Sequence, residues 1–149
     1  KKTQCCGIFA GKRLDELDDH VFKESSRINS TFGGNLVDMV RFTIYLEIME
    51  NENLVDLVSE NGTYLLSSLA SLQKEVSNVV SNVRGKGLFC AFDLTSSELR
   101  NKLIAKVEEE GALILGCGHR SIRFRPHLNI SKNEIDRAMV MIKSAMSKI

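Results

Sequence analysis

The chain has 149 residues, 43% of them hydrophobic and 26% charged, and its twenty basic and nineteen acidic side chains leave a net charge of +1. That length fits one globular domain, or one domain with part of another. So even a charge balance, with few aromatics to stack bases, argues against a nucleic-acid partner, and apolar runs as short as Gly111 to Leu115 argue against a membrane span.

Residues 7–10 read as a short strand, and the chain from there to about residue 32 as loop and turn around an acidic cluster, Asp15-Glu16-Leu17-Asp18-Asp19. From Asn35 the pattern changes. Leu36, Met39, Val40, Thr43, Ile44, Leu46, Ile48 and Met49 recur at helical spacing, and a second stripe runs from Leu54 to Leu72. Asn51 to Asn53 separates the two helices. Each apolar stripe needs a surface to cover it, so the chain alone is expected to expose apolar area and to self-associate.

Beyond Val76 the pattern is α+β. Residues 79–84 and 88–94 read as strands around the glycine-spaced Arg84-Gly85-Lys86-Gly87. Ser96 or Ser97 can cap a helix that carries Leu99, Leu103, Ile104 and Val107, and Gly111 stops it. Residues 112–115 form a short apolar strand, and 121–125 alternate like a half-buried one that Pro126 ends. Ser131 and Glu134 have capping-box spacing ahead of a last helix that buries Ile135, Ala138, Met139, Ile142 and Met146. These elements predict two helices on one face of a small, mainly antiparallel sheet.

Cys5, Cys6, Cys90 and Cys117 include no Cys-x-x-Cys pair, and a bridge between the two neighbours would be strained. Reduced thiols in a cytoplasmic protein are expected. Cys117 and His119 lie two apart, with His20 and His127 elsewhere. That falls short of the four well-spaced ligands zinc usually takes, so no metal site is expected.

Three motifs can carry chemistry. Arg84-Gly85-Lys86-Gly87 has the composition of a phosphate loop, but a strand follows it rather than a helix, so a backbone bend is the better reading. Arg123 and Arg125 are two apart on a strand and would share a face. Such a pair needs acidic neighbours or an anionic ligand, and a guanidinium fork suits a carboxylate. Ser30-Thr31 ahead of Gly33-Gly34 reads either as hydroxyl caps on a helix or as donors to a phosphate.

Read together, these segments resemble the C-terminal part of a class III (subgroup II) aminotransferase. The likeness is carried by Lys1-Lys2-Thr3-Gln4, by Arg27-Ile28-Asn29-Ser30-Thr31-Phe32-Gly33-Gly34-Asn35-Leu36, by Arg84 to Phe92, and by Ser121-Ile122-Arg123-Phe124-Arg125-Pro126. It covers nearly the whole chain and is strongest toward members that act on L-lysine; members acting on 4-aminobutyrate or ornithine are the alternatives. A non-catalytic α+β binding module is the alternative of another class.

The resemblance implies a fold of class α/β. Residues 1–50 would close a fold type I cofactor-binding domain, 51–78 would be a connecting helix, and 79–149 a small α+β C-terminal domain. It implies pyridoxal 5'-phosphate as cofactor and a homodimer with shared active sites. The Schiff-base lysine falls on Lys1 rather than Lys2, because Lys1 has the family's spacing of thirty positions to Thr31. Thr31, assisted by the backbone of Ser30, would hold the cofactor phosphate of the other subunit. Arg123 would bind the α-carboxylate of glutamate or 2-oxoglutarate. The implied reaction is a ping-pong transfer of the ε-amino group of L-lysine to 2-oxoglutarate. The family's other site residues would lie upstream, in an enzyme roughly three times as long, so this chain alone is expected to be inactive.

Overall fold

The computed structural model describes residue 8 and residues 10–149. It divides into two compact units, Lys1–Glu52 and Asn53–Ile149.

In the first unit a 3₁₀ turn over Lys12–Glu16 leads into irregular chain, and a single helix follows, α1 (Leu36–Asn51). Arg27 ties the irregular stretch together, pairing with Asp19 and, at 3.0 Å, with Glu24. Helix α1 departs from the expected one-sided stripe. Apolar side chains project all around it, with Leu36 76% and Val40 61% exposed, and none of its residues is buried. A helix apolar on every side is built for the interior of a larger protein.

The second unit closes a core of its own. Its elements are α2 (Leu54–Glu75), β1 (Val80–Lys86), β2 (Phe89–Leu94), α3 (Ser97–Glu109), β3 (Leu115–Cys117), β4 (Ser121–Phe124) and α4 (Lys132–Met146). The strands form one sheet in the order β1-β2-β4-β3, antiparallel throughout. Helix α2 runs against β1 and β2, α3 against β2, β3 and β4, and α4 packs on α2 and α3. The covering layer thus holds α2 as well as the two helices expected from sequence. Leu69 and Leu72 of α2, Leu103 and Val107 of α3, and Ile135 and Ile142 of α4 meet Phe92, Leu94 and Ile122 of the sheet.

Local chemistry sets the boundaries. Ser96 accepts a hydrogen bond from the Leu99 N–H at 3.1 Å and caps α3. Gly111 ends that helix at φ +93°, where its N–H reaches the Glu108 carbonyl and that of Ala112 the Val107 carbonyl. This pair of bonds is the Schellman arrangement, and glycine takes its left-handed position without a Cβ penalty. Ser131 and Glu134 form the reciprocal capping box at the start of α4. Strands β1 and β2 join through a two-residue turn, since Lys86 pairs with Phe89 and Gly87 takes φ +54°. The third strand lies at Leu115–Cys117 rather than over residues 112–115, because those are the residues that pair with β4.

Candidate functional site

Thr31 and Ser30 lie on the exposed turn ahead of α1. Neither hydroxyl caps the helix. Asn35 does, accepting from the Val37 N–H at 2.9 Å, four positions beyond Thr31. Ser30 instead folds back on its own turn: its Oγ accepts from the Phe32 N–H at 3.3 Å and its carbonyl from the Gly33 N–H at 2.9 Å. Gly34 continues the turn at φ +74°. The Thr31 hydroxyl makes no hydrogen bond among the described residues. Of the two sequence readings of Ser30 and Thr31, helix capping therefore drops out, and what remains is an exposed hydroxyl donor on a tight turn. Lys1 lies outside the described residues.

Arg123 is the third residue of β4, opposite Ala91 of β2 on one side and Leu115 of β3 on the other. Alternation along β2 and β4 divides the sheet. Cys90, Phe92, Leu94 and Ile122 are buried in the core under the helices, and Ala91, Asp93, Ser121 and Arg123 take the opposite face. The buried Nε of Arg123 has no hydrogen-bond partner among the described residues. No ion pair or hydrogen bond engages its guanidinium among the described residues. Burying such a donor unmet is costly, so a site of this kind favours an anion that meets it. Arg125 falls one residue past the end of the strand and is exposed, so the expected same-face pair of guanidiniums on one strand does not form. Both arginines border a cleft of about 180 Å³ beside β3, whose other lining residues are apolar.

Beside Arg123 lies a cluster that sequence reasoning missed. Asp93 is 8% exposed. It accepts hydrogen bonds from Ser121 Oγ at 2.5 Å, from Asn82 Nδ2 at 2.8 Å and from Arg84 Nη1 at 2.9 Å. Burial alone would raise its pKa, but the hydrogen bonds from Ser121, Asn82 and Arg84, together with the Arg84 charge, hold it down at about 2. Arg84 also donates to the Asn82 carbonyl at 2.8 Å and to Ser121 Oγ at 3.1 Å. Asn82 sits at φ +53° where the β1–β2 register slips, a bulge that re-aims its side chain. The signal available in sequence was the hairpin. A two-residue turn at Gly87-Leu88 sets Arg84 opposite Ala91 and diagonal to Asp93.

Among the described residues no group of histidines, cysteines and carboxylates is arranged to hold a metal ion, and no helix is long and apolar enough to cross a membrane. Cys90 is buried and Cys117 half-buried, both as free thiols. Burial raises the pKa of Cys90.

Comparison with known proteins sets this geometry in a family. The sequence profile described as aminotransferase class-III matches residues 15–146. L-lysine-epsilon aminotransferase of Streptomyces clavuligerus is 45% identical over 150 residues, which takes in 100% of this chain and 33% of that protein. The enzyme of the same name from Mycobacterium tuberculosis is 44% identical over 98% of this chain and 32% of its own length. The mitochondrial 4-aminobutyrate aminotransferase of Rattus norvegicus is 39% identical over 68% of this chain and 20% of its own length. A solved lysine aminotransferase from M. tuberculosis, in its internal aldimine form, superposes with a TM-score of 0.89 at 42% identity, covering 96% of this chain and 33% of that one. An S-selective transaminase from an Arthrobacter species reaches a TM-score of 0.75 at 26% identity, over 85% of this chain and 32% of the other. The chain thus spans about a third of the length of the relatives it matches.

Proposed function

We propose that this chain, which belongs to the class-III aminotransferase family, supplies one flank of the active site of a pyridoxal-phosphate-dependent transaminase. The enzyme transfers the ε-amino group of L-lysine to 2-oxoglutarate. Arg123 carries the reading, as an arginine whose buried Nε has no hydrogen-bond partner among the described residues. The choice of L-lysine as donor rests on likeness: the lysine enzymes match the whole chain, the 4-aminobutyrate enzymes about two thirds of it.

The residues present fit the cofactor. The Thr31 hydroxyl, exposed and without a hydrogen bond among the described residues, is a neutral donor suited to a phosphate oxygen. The tight turn around Ser30 fixes where that hydroxyl stands. Lys1 would hold the cofactor aldehyde through its ε-amine. Pyridoxal phosphate, when bound, supplies the electron sink that makes the carbon bearing the amine acidic. Once the substrate amine has displaced it, Lys1 Nζ would take the proton from that carbon and deliver it to the former aldehyde carbon, and so act as base and then as acid. Arg123 orients the acceptor by a paired, charge-assisted contact to its carboxylate. In a homodimer with shared sites, Thr31 would serve the cofactor held on the other subunit's lysine.

The test is made on the full-length protein with L-lysine and 2-oxoglutarate, following glutamate. Lysine should be preferred over 4-aminobutyrate and ornithine. Arg123→Met should raise the KM for 2-oxoglutarate by about a hundredfold, as expected when a buried charged hydrogen bond to substrate is lost. A preference for another donor would overturn the assignment of substrate. An unchanged KM in Arg123→Met would overturn the assignment of Arg123.

A further inference from the structure

On the face of the sheet opposite the helix-covered core, one carboxylate lies on a strand flanked by two arginines. Ala91 of β2 pairs with Arg84 of β1 on one side and with Arg123 of β4 on the other. Asp93 lies two residues along β2 on the same face, so it is diagonal to both arginines. Diagonal Cβ atoms in an antiparallel sheet are about 7–8 Å apart, within the reach of an arginine side chain. Asp93 is nevertheless bonded to Arg84 alone, with Ser121 and Asn82 filling its remaining acceptor positions. The guanidinium of Arg84 is fixed in turn by the Asn82 carbonyl and Ser121 Oγ. Ala91 between the arginines carries only a methyl group, too short to screen one from the other.

We propose that Arg84 is a positioning residue: by holding the Asp93 carboxylate, it keeps Arg123 open to the carboxylate of a substrate. Without Arg84, Asp93 would be a buried carboxylate lacking its cation, and the nearest remaining cation on the face is Arg123. The two would pair, and the substrate would have to displace Asp93 in order to bind. This inference rests on the reading of Arg123 given above. Asp93 is no substrate ligand in this scheme, and Arg84 acts only through it.

The test uses the full-length enzyme and four variants: Arg84→Gln, Asp93→Asn, the two combined, and Arg123→Met. If Asp93 occupies Arg123 nine-tenths of the time in Arg84→Gln, the KM for 2-oxoglutarate rises about tenfold, because apparent affinity falls with the competent fraction. kcat should stay within about twofold, since the loss is of uniform binding. Asp93→Asn alone should leave KM near that of the unsubstituted enzyme. The combined variant removes the competitor and should restore KM to within about twofold of the starting value. A merely structural contribution predicts the opposite, since the combined variant loses more of the network.

An unchanged KM in Arg84→Gln, or a KM still raised in the combined variant, would overturn the proposal. If Arg123→Met raises KM but Arg84→Gln does not, this inference fails while the reading of Arg123 stands. If Arg123→Met has no effect, both fail. Should Arg84→Gln not accumulate as folded protein, Arg84→Lys replaces it. Lysine keeps the charge but not the forked contact, and the proposal then requires a smaller rise in KM that Asp93→Asn again cancels.

Discussion

Replacing Gly62 with alanine sets two backbone effects against each other. Gly62 is buried in the middle of α2, and in an ordinary helix interior glycine to alanine gains about 1 kcal/mol. Here the added Cβ would lie 2.3 Å from the carbonyl carbon of Gly87 and 2.5 Å from its Cα and its oxygen. Those are backbone atoms of the β1–β2 turn, so no side chain can swing away. Carbon atoms pack at about 3.5–4.0 Å, and α2 would have to withdraw from the hairpin by more than 1 Å. Leu65 and Leu69, one and two turns further along, would lose contact with the sheet as it moved. Overpacking of this kind costs roughly 1–3 kcal/mol, and backbone atoms that cannot yield put this site at the upper end. After subtracting the gain in helix propensity, the net loss is about 2 kcal/mol. In a unit of this size that lowers the midpoint of thermal unfolding by about 8–16 °C. Urea unfolding of residues 53–149 reads it directly, with Ser71→Ala on the exposed side of α2 as a near-neutral control. An increase in stability in Gly62→Ala would show that the helix and the hairpin do not meet as described.

Two further outcomes follow from the hydrogen-bonding groups. The folded-state pKa of Asp93, about 2, lies below its ordinary value of 3.8. It therefore contributes about 2 kcal/mol above pH 4, which is lost as the pH falls toward 2. Acid titration of stability should show that slope, and Asp93→Asn should flatten it; a slope unchanged in the variant would assign the effect elsewhere. Ser131→Ala removes the hydroxyl that accepts from the Glu134 N–H and should cost about 1 kcal/mol in the same urea assay, while an unchanged midpoint would mean that Glu134 alone secures the end of α4.

Where a residue's conformation is decided within a few positions, the sequence alone was enough. The capping box at Ser131, the cap at Ser96 and the stop at Gly111 each depend on one side chain and the next turn of helix, and each forms as expected. Alternation along a strand offered Arg123 and Arg125 together, and it was the resemblance that singled out Arg123; the strand ends at Phe124, before Arg125. Legibility ended where a partner from a distant part of the chain decides. The short strand moved to Leu115–Cys117 because pairing with β4, rather than the apolar run before it, sets its register. Helix α1 starts at Leu36 as its periodicity indicated, but Asn35 rather than Ser30 or Thr31 supplies the cap. The Asp93 cluster depends on a bulge at Asn82 that adds side chains of β1 to the Ser121 of β4 already opposite the carboxylate, and bulges leave little trace in composition. The resemblance was read from the same blocks of residues that the family profile spans from residue 15 onward.

The units that carry Thr31 and Arg123 have different physical footing. Thr31 belongs to a unit in which no described residue from Ile8 to Glu52 is buried, and whose helix α1 is apolar on all sides. Arg123 belongs to a unit with a closed core of three helices and a four-stranded sheet. Hydrophobic burial is the main term that offsets chain entropy, so only the second unit holds the means to fold by itself. Residues 53–149 alone should unfold cooperatively in urea, with coincident far-ultraviolet and near-ultraviolet circular dichroism. Residues 10–52 alone should show no cooperative transition and should associate through the exposed faces of α1. A sharp transition in the shorter piece would mean that its local contacts, among them the Arg27 pairs, suffice without a core. A gradual loss of signal in the longer piece would mean that its core is not self-sufficient. The unit that carries Arg123 then forms by itself, and the described residues of the unit that carries Thr31 wait for apolar surface that they do not supply.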